Sequence, residues 1–323
     1  MYVIMDMGTT NTRLYLCHGD SLVDSVKGPF GASFGKKHGR SELLLRVKDL
    51  LGDLLGKHAV EEAHVECILA VGMAGSEIGL CEVPHLLIPA DAKTLAKHIH
   101  PAGLEGINIP FLFVPGVKKT DGDALVDMMR GEEVETVGLV SLLALGEDGI
   151  FLLPGTHNKI VPVTAAGEIL DLYTTFSGEL LDSLISHTIL AGQAAHDFRI
   201  IASEVRRGAA YAEENGLNAA AYHVRVMAKN GKGVDAASSF LYGSVLGQDI
   251  RLIRRVAQGK TVYIAGRNAL KETYAILLGE ENAVSLGDEV CSQMMVTGAM
   301  QIKKSMTENC QEEKRNEKNR SQL

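Results

Sequence analysis

The densest run of chemically useful residues stands at the start of the chain: Asp6-Met7-Gly8-Thr9-Thr10-Asn11-Thr12-Arg13. An apolar run over residues 2–7 ends in a carboxylate, and Gly-Thr-Thr-Asn is turn chemistry. A tight turn of this composition points successive backbone N–H groups outward as an anion-binding nest, and the neighbouring carboxylate suits a hydrated Mg2+ that bridges phosphates. Gly8, Thr9, Thr10 and Asn11 are therefore phosphate-binding candidates, with Asp6 the metal candidate. The plainer alternative is an ordinary hairpin with a structural Asp. A second turn, Pro154-Gly155-Thr156-His157-Asn158-Lys159, has the same character. Gly155 and Thr156 bring N–H groups, and His157 and Lys159 suit phosphate oxygens or substrate, against the alternative of a solvated lysine on a hairpin.

Phosphoryl transfer to an alcohol also needs a base for the hydroxyl proton. Met128-Met129-Arg130-Gly131-Glu132-Glu133 sits where a strand hands over to a helix, and Glu132 is the candidate. Acidic residues are favoured at helix N-termini by the dipole in any case, and Glu133, Asp121, Asp123 and Asp127 are competitors. Tyr263-Ile264-Ala265-Gly266-Arg267 runs a strand into a glycine at a helix start, which alone is a weak signal. Two motifs fail on context. Gly259-Lys260-Thr261 resembles the end of a Walker A loop, but Arg254 stands where the loop needs Gly and a strand follows instead of preceding it. No GxGxxG follows the first strand, and His85, His98 and His100 read as surface residues rather than metal ligands.

These residues need a frame. Three short strands, residues 2–7, 12–17 and 22–27, open the chain as a meander; a helix over 41–58, a strand at 66–71, a Gly-rich turn at 72–79, a helix over 91–100, a strand at 111–114 and a helix over 131–145 follow. Strands at 150–153, 159–163 and 169–175 then repeat the opening, a helix-rich stretch fills 178–258, and the chain continues with a strand at 262–265, a helix over 268–278, a strand at 283–285 and a helix over 287–303. Each half thus reads β-β-β-α-β-α-β-α, an α/β order whose ligands bind at strand ends, here expected between the halves. The expected domains are 1–146, 147–303 with an all-helical insertion at about 178–258, and a disordered tail, 304–323, too poor in apolar residues to bury a core.

The chain has 323 residues, 46% of them hydrophobic, and a formal net charge of −8. That is enough for two domains at roughly 100–200 residues each, and the negative charge argues against nucleic acid or an anionic membrane as partner. No apolar run approaches the roughly 20 residues of a membrane span, and the N-terminus lacks the basic region of a signal peptide. Five dispersed cysteines without a CxxC pair suit reduced thiols, so the expected location is the cytoplasm.

The turn at Asp6 resembles the first phosphate loop of the actin-like superfamily. Further segments, VGMAGSEIG from Val71, FVPGV from Phe113, DMMRGEE from Asp127, LLPGTHNK from Leu152 and TFSGELLDSLISHTIL from Thr175, together resemble the 2-dehydro-3-deoxygalactonokinase family, in order and over nearly the whole chain to about residue 303. The resemblance implies two actin-like (ribonuclease H-like) domains, each with a mixed five-stranded sheet. It also implies transfer of the γ-phosphate of ATP, with Mg2+, to the 6-hydroxyl of 2-dehydro-3-deoxy-D-galactonate, and Gly266 as the close approach to adenosine. The pocket for a sugar acid should hold a cationic anchor, Arg13 or Arg130, with polar contacts from Ser76, Ser177 and Glu179. Arg13 has the alternative of pairing with a nearby carboxylate. The partner expected is the small sugar acid, and a homodimer is compatible with this reading. The chain departs from the family's usual pattern at Met7 and at Asn158-Lys159-Ile160, where tryptophan-containing sequence is common; this chain has no Trp. Another sugar-acid kinase and a non-catalytic actin-like nucleotide-binding protein are the rival readings.

Overall fold

The computed structural model describes residues 1–266, 268–280 and 283–320; Arg267 and residues 321–323 of the expected tail lie outside them. By contact the chain divides into two compact units. The first comprises Met1–Ala144, Ala166–Leu170 and the chain from Gln293 on, and the second Leu145–Ala165 with Asp171–Ser292.

The first unit contains β1 (Tyr2–Met7), β2 (Thr12–His18), β3 (Ser21–Gly28), α1 (Ala32–His38), α2 (Arg40–Lys57), β4 (Ile68–Gly72), β5 (Leu86–Leu87), α3 (Ala92–Lys97), β6 (His100–Ala102), β7 (Phe111–Phe113), β8 (Val117–Asp121), β9 (Ala124–Met129) and α4 (Glu132–Leu143). Its main sheet runs β3-β2-β1-β4-β7-β6. β1 is central, antiparallel to β2 and parallel to β4. Its almost continuous apolar run is that of a strand buried on both faces. The sheet has six strands where five were expected, because His100–Ala102 adds a short antiparallel edge to β7; three residues beginning His-Pro leave no alternating pattern to read. A separate three-stranded sheet, β5-β8-β9, was also not anticipated. Its hairpin turns at Gly122, φ +56°, and its charged β8 and exposed β9 lack a buried face. α2 buries Leu43, Val47, Leu50, Leu51, Leu54 and Leu55, the stripe its spacing predicts.

The second unit contains β10 (Gly149–Leu153), β11 (Asn158–Val163), β12 (Tyr173–Thr175), α5 (Ser177–His187), α6 (Ala202–Asn215), α7 (Leu217–Lys229), α8 (Val234–Leu246), α9 (Ile250–Ala257), β13 (Val262–Ile264), α10 (Asn268–Leu278) and β14 (Ala283–Ser285). Its sheet, β12-β11-β10-β13-β14, has five strands, with β13 and β14 parallel to β10. β12 is shorter than expected, because Ile169 instead bridges Ala90 in the first unit's own set of contacts. In the helical insertion, α6 and α8 pack backbone to backbone: a Cβ on Gly208 would overlap Phe240 O, and one on Gly243 would overlap Val205 O.

The last helix, α11 (Asp288–Arg320), runs through the stretch expected to be without structure. That stretch lacks Gly and Pro and is rich in Glu, Lys, Arg and Gln. These are strong helix formers, so propensity extends a helix whose earlier turns are held by packing. Within the first unit α11 crosses α4 closely, since a Cβ on Gly138 would overlap Met294 O and one on Gly298 would overlap Val134 O.

Candidate active site

The first turn is held from both sides. Gly8 N–H donates to Asn11 O at 2.8 Å, closing the hairpin between β1 and β2. Its carbonyls are taken by the start of α1: Ala32 N–H donates to Gly8 O, Ser33 N–H and Ser33 Oγ donate to Thr9 O, and Gly31 must lack a side chain because a Cβ would overlap Gly8 O. Thr12 Oγ1, fully buried, donates to Phe30 O and locks the connecting strand to the same place. What the turn presents outward are Thr9 and Thr10, both exposed, with Asn11 Nδ2 on Thr10 Oγ1. The Gly8 N–H, a phosphate donor in the sequence reading, is spent on the hairpin itself. α1, which fixes the turn, is too short and too Gly- and Lys-rich to have been read as a helix.

Asp6 lies largely buried at the end of β1, directly opposite Arg13 on β2, and Arg13 Nη1 reaches Asp6 Oδ2 at 3.3 Å. The pairing alternative for Arg13 is thus realised. Burial pushes the Asp6 carboxyl up, and Arg13 only partly opposes it. Facing this pair is the first turn of α4. Glu133 is fully buried, its carboxylate accepting Gly131 N–H at 2.8 and 2.9 Å; burial, with the Glu132 charge second, pushes its pKa up to about 8. Glu135 is held well above the usual carboxylate range by burial and then by Glu132, Asp6 and Glu133, with Arg13 acting the other way. Glu135 thus feels three neighbouring carboxyl groups and Arg13, while Glu133 feels Glu132 and Arg130. Glu135 was missed by the sequence reading, although it stands three residues after Glu132 on one side of a helix. Asp121 and Asp123 sit instead at the tip of the β8–β9 hairpin, and Asp127 Oδ1 accepts Met128 N–H.

Two glycines bring these groups together. Gly72, φ +69°, ends β4, and a Cβ there would press on Met7 O; Gly131, φ +111°, starts α4, and its Cβ would press on Gly72 Cα. Both backbone conformations belong to glycine, so strand end and helix start approach as a bare backbone pair. Glu132, half-buried, turns back to accept Arg130 N–H at 3.1 Å. The Arg130 guanidinium points away into the protein: Nη2 donates to Val83 O at 2.6 Å and faces His85 Nδ1 at 3.1 Å, while Nη1 is buried against Gly75 without a partner. Ser76 Oγ donates to Met73 O. Arg130 thus braces the loop after β4, whereas Arg13 keeps 43% of its side chain exposed.

The second unit repeats the device. A Cβ on Gly178 would overlap Gly155 O, and Glu179 N–H donates to Thr156 O, so the start of α5 holds the second turn as α1 holds the first. His157 Nε2 meets Glu179 Oε2 at 2.7 Å, and its ring stacks on Phe176 with centroids 5.8 Å apart. Ser177 is buried in the first turn of α5. Lys159 is buried as well, its Nζ donating to Thr174 Oγ1 at 2.9 Å, unlike the solvated or phosphate-facing lysine expected. Gly266 lies where a Cβ would meet Pro154 Cδ at 3.3 Å, which places the expected adenosine glycine against the second turn. Among the described residues, no three His, Cys, Asp or Glu side chains are arranged to hold a metal ion. Mg2+ commonly takes one or two protein carboxylates and completes its shell with phosphates and water, so Asp6 fits that role.

The chain is 28% identical over 189 residues to the 2-dehydro-3-deoxygalactonokinase of Escherichia coli K12, a match spanning 58% of each chain. A crystal structure from Sinorhizobium meliloti, provisionally named a 2-dehydro-3-deoxygalactonokinase, superimposes with a TM-score of 0.75 at 23% identity, covering 94% of this chain and 98% of that one. An ADPNP-bound activator of 2-hydroxyisocaproyl-CoA dehydratase from Clostridium difficile superimposes with a TM-score of 0.50 at 13% identity, covering 96% and 97%. The fold is thus that of the actin-like sugar kinases and ATPases. The 2-keto-3-deoxy-galactonokinase family matches residues 6–302, a span that begins at the Asp6 carboxylate and includes both turns and α4, and the chain belongs to that family.

Proposed function

We propose that the protein transfers the γ-phosphoryl group of ATP to the 6-hydroxyl of 2-dehydro-3-deoxy-D-galactonate, giving the 6-phosphate and ADP. The observation that carries this reading is the convergence of Asp6, at the phosphate-type turn, with the first turn of α4 and its Glu132. Glu132 is the base. Glu133 is sealed from solvent and tied to Gly131, and burial holds the Glu135 carboxyl well above the usual carboxylate range, so half-buried Glu132 suits the role better. The substrate oxygen attacks phosphorus as its proton passes to Glu132, and the bond from phosphorus to the bridging oxygen breaks to release ADP. Thr9 and Thr10 of the first turn and Thr156 of the second contact phosphate oxygens, and Gly266 admits the adenosine. Mg2+ bound at Asp6 would neutralise phosphate charge. Arg13 meets the substrate carboxylate or a phosphate oxygen, and Ser76, Ser177 and Glu179 are the polar contacts. The location in keeping with this reaction is the cytoplasm; no helix among the described residues is long and apolar enough to cross a membrane.

Ranking kcat/KM over 2-dehydro-3-deoxy-D-galactonate, its gluconate epimer, simple aldonates and pantothenate tests the assignment. The galactonate compound is expected to lead by at least about tenfold, or 1.4 kcal/mol of transition-state discrimination. A higher value for another acid would keep the kinase and replace the substrate.

A further inference from the structure

The second unit contains a chain of polar groups, buried but for half-buried Thr175, that the reaction does not use. Asn158 and Tyr274 are fully buried and Asp249 nearly so. Asp249 Oδ2 accepts from Tyr274 OH at 2.5 Å and from Thr175 Oγ1 at 2.9 Å. Asn158 Nδ2 reaches Tyr274 OH at 2.8 Å and Thr175 Oγ1 at 3.1 Å, with Asp249 Oδ2 at 3.5 Å, and Asn158 Oδ1 accepts Gly155 N–H at 3.1 Å.

The direction of every bond in this chain follows from one group. Tyr274 OH and Thr175 Oγ1 both donate to Asp249 Oδ2, so both hydroxyl protons point at it. Each hydroxyl then has only lone pairs left for Asn158, which must present its NH2 to them. That leaves the amide oxygen on the opposite side, where it meets Gly155 N–H. The carboxylate of Asp249 thereby fixes which way round the Asn158 amide sits, and the amide fixes the second turn from inside while α5 fixes it from outside.

We propose that Asn158, oriented by Asp249 through Tyr274 and Thr175, is a positioning residue that sets the conformation of the second turn and, through it, the affinity for the phosphates of ATP. This rests on the phosphoryl-transfer reading above. With the Gly155 N–H engaged by Asn158, the groups the turn offers a phosphate come from Thr156 and His157.

The test is calorimetric binding of Mg·AMPPNP to the full chain, beside thermal unfolding and steady-state kinetics. Asn158→Ala and the double variant Tyr274→Phe with Thr175→Val are expected to weaken nucleotide binding at least tenfold. KM for the acceptor acid should stay within twofold, and kcat should fall less than threefold. Thr175→Ser, which keeps the hydroxyl, is expected to bind as wild type does. Variants that lose thermal stability but bind nucleotide with unchanged affinity would overturn the proposal and leave the network a packing feature. Should the double variant not fold, Thr175→Val against Thr175→Ser carries the same contrast, and equal affinities overturn it. A wild type that binds no nucleotide would remove the kinase reading and this inference with it; wild-type binding with unchanged variants removes this inference alone.

Discussion

Glu133 is a buried carboxyl group whose cost is felt only when it ionises, which makes Glu133→Gln an informative single change. Its pKa is raised from 4.5 to about 8, first by burial and then by the Glu132 charge. Below the ordinary value the folded and unfolded chains both carry the proton. As pH rises through the window from 4.5 to about 8, the unfolded chain has released a proton that the folded chain retains. Stability therefore falls with rising pH, at no more than about 1.36 kcal/mol per pH unit. Over the whole window this amounts to at most about 5 kcal/mol. Glutamine keeps an oxygen for Gly131 N–H and cannot ionise. Any misfit of its NH2 group is an offset that does not vary with pH. Urea unfolding of both proteins at intervals from about pH 5 to about pH 8.5 is the assay. The variant is expected to gain on the wild type steadily as pH rises, and then to hold a constant difference. Parallel profiles would refute the reasoning, because Glu133 would then titrate alike in both states.

Glu132→Gln is expected to lower kcat by about 10²–10⁴ while leaving the affinity for Mg·AMPPNP within a few-fold; unchanged turnover would remove Glu132 from the mechanism. Gly31→Ala drives a methyl group into Gly8 O, and at least a tenfold loss of nucleotide affinity in calorimetry is the expected outcome; wild-type affinity would show that the first turn does not bind phosphate. Gly138→Ala forces α4 away from Met294 O on α11, and overpacking of this kind costs roughly 1–3 kcal/mol. A lower urea midpoint checks it, and an unchanged midpoint would mean the two helices separate freely.

The sequence carried the alternation of elements well wherever an element buries a regular face. β1, α2 and β10 have periodic or continuous apolar residues that leave little choice. Elements without a buried face escaped. α1 is seven residues of mixed character, β6 begins His-Pro, and the β8–β9 hairpin keeps Leu125 and Val126 exposed. The two turns were legible as turns because Gly-Thr-Thr-Asn and Pro-Gly-Thr-His narrow what a backbone does there. What fixes them was not, since Gly31 and Gly178 matter only through distant carbonyls. Likewise Lys159 and Arg130 read as free cations. Burial against Thr174 and Val83, a tertiary fact, makes them internal braces. Asn158 appeared only as a member of the second turn and a departure from the family pattern, and its four partners lie up to 116 residues away in sequence.

The central claim is a specific phosphoryl transfer, and the most direct test is the product itself. The chain would be incubated with ATP, Mg2+ and 2-dehydro-3-deoxy-D-galactonate, beside the gluconate epimer and a blank without acceptor, with ADP quantified and the organic product examined by phosphorus NMR. The account predicts one new phosphomonoester at the 6-oxygen for each ADP formed, from the galactonate compound and far above the blank. ADP release no faster than the blank, from folded protein that binds nucleotide, would contradict it.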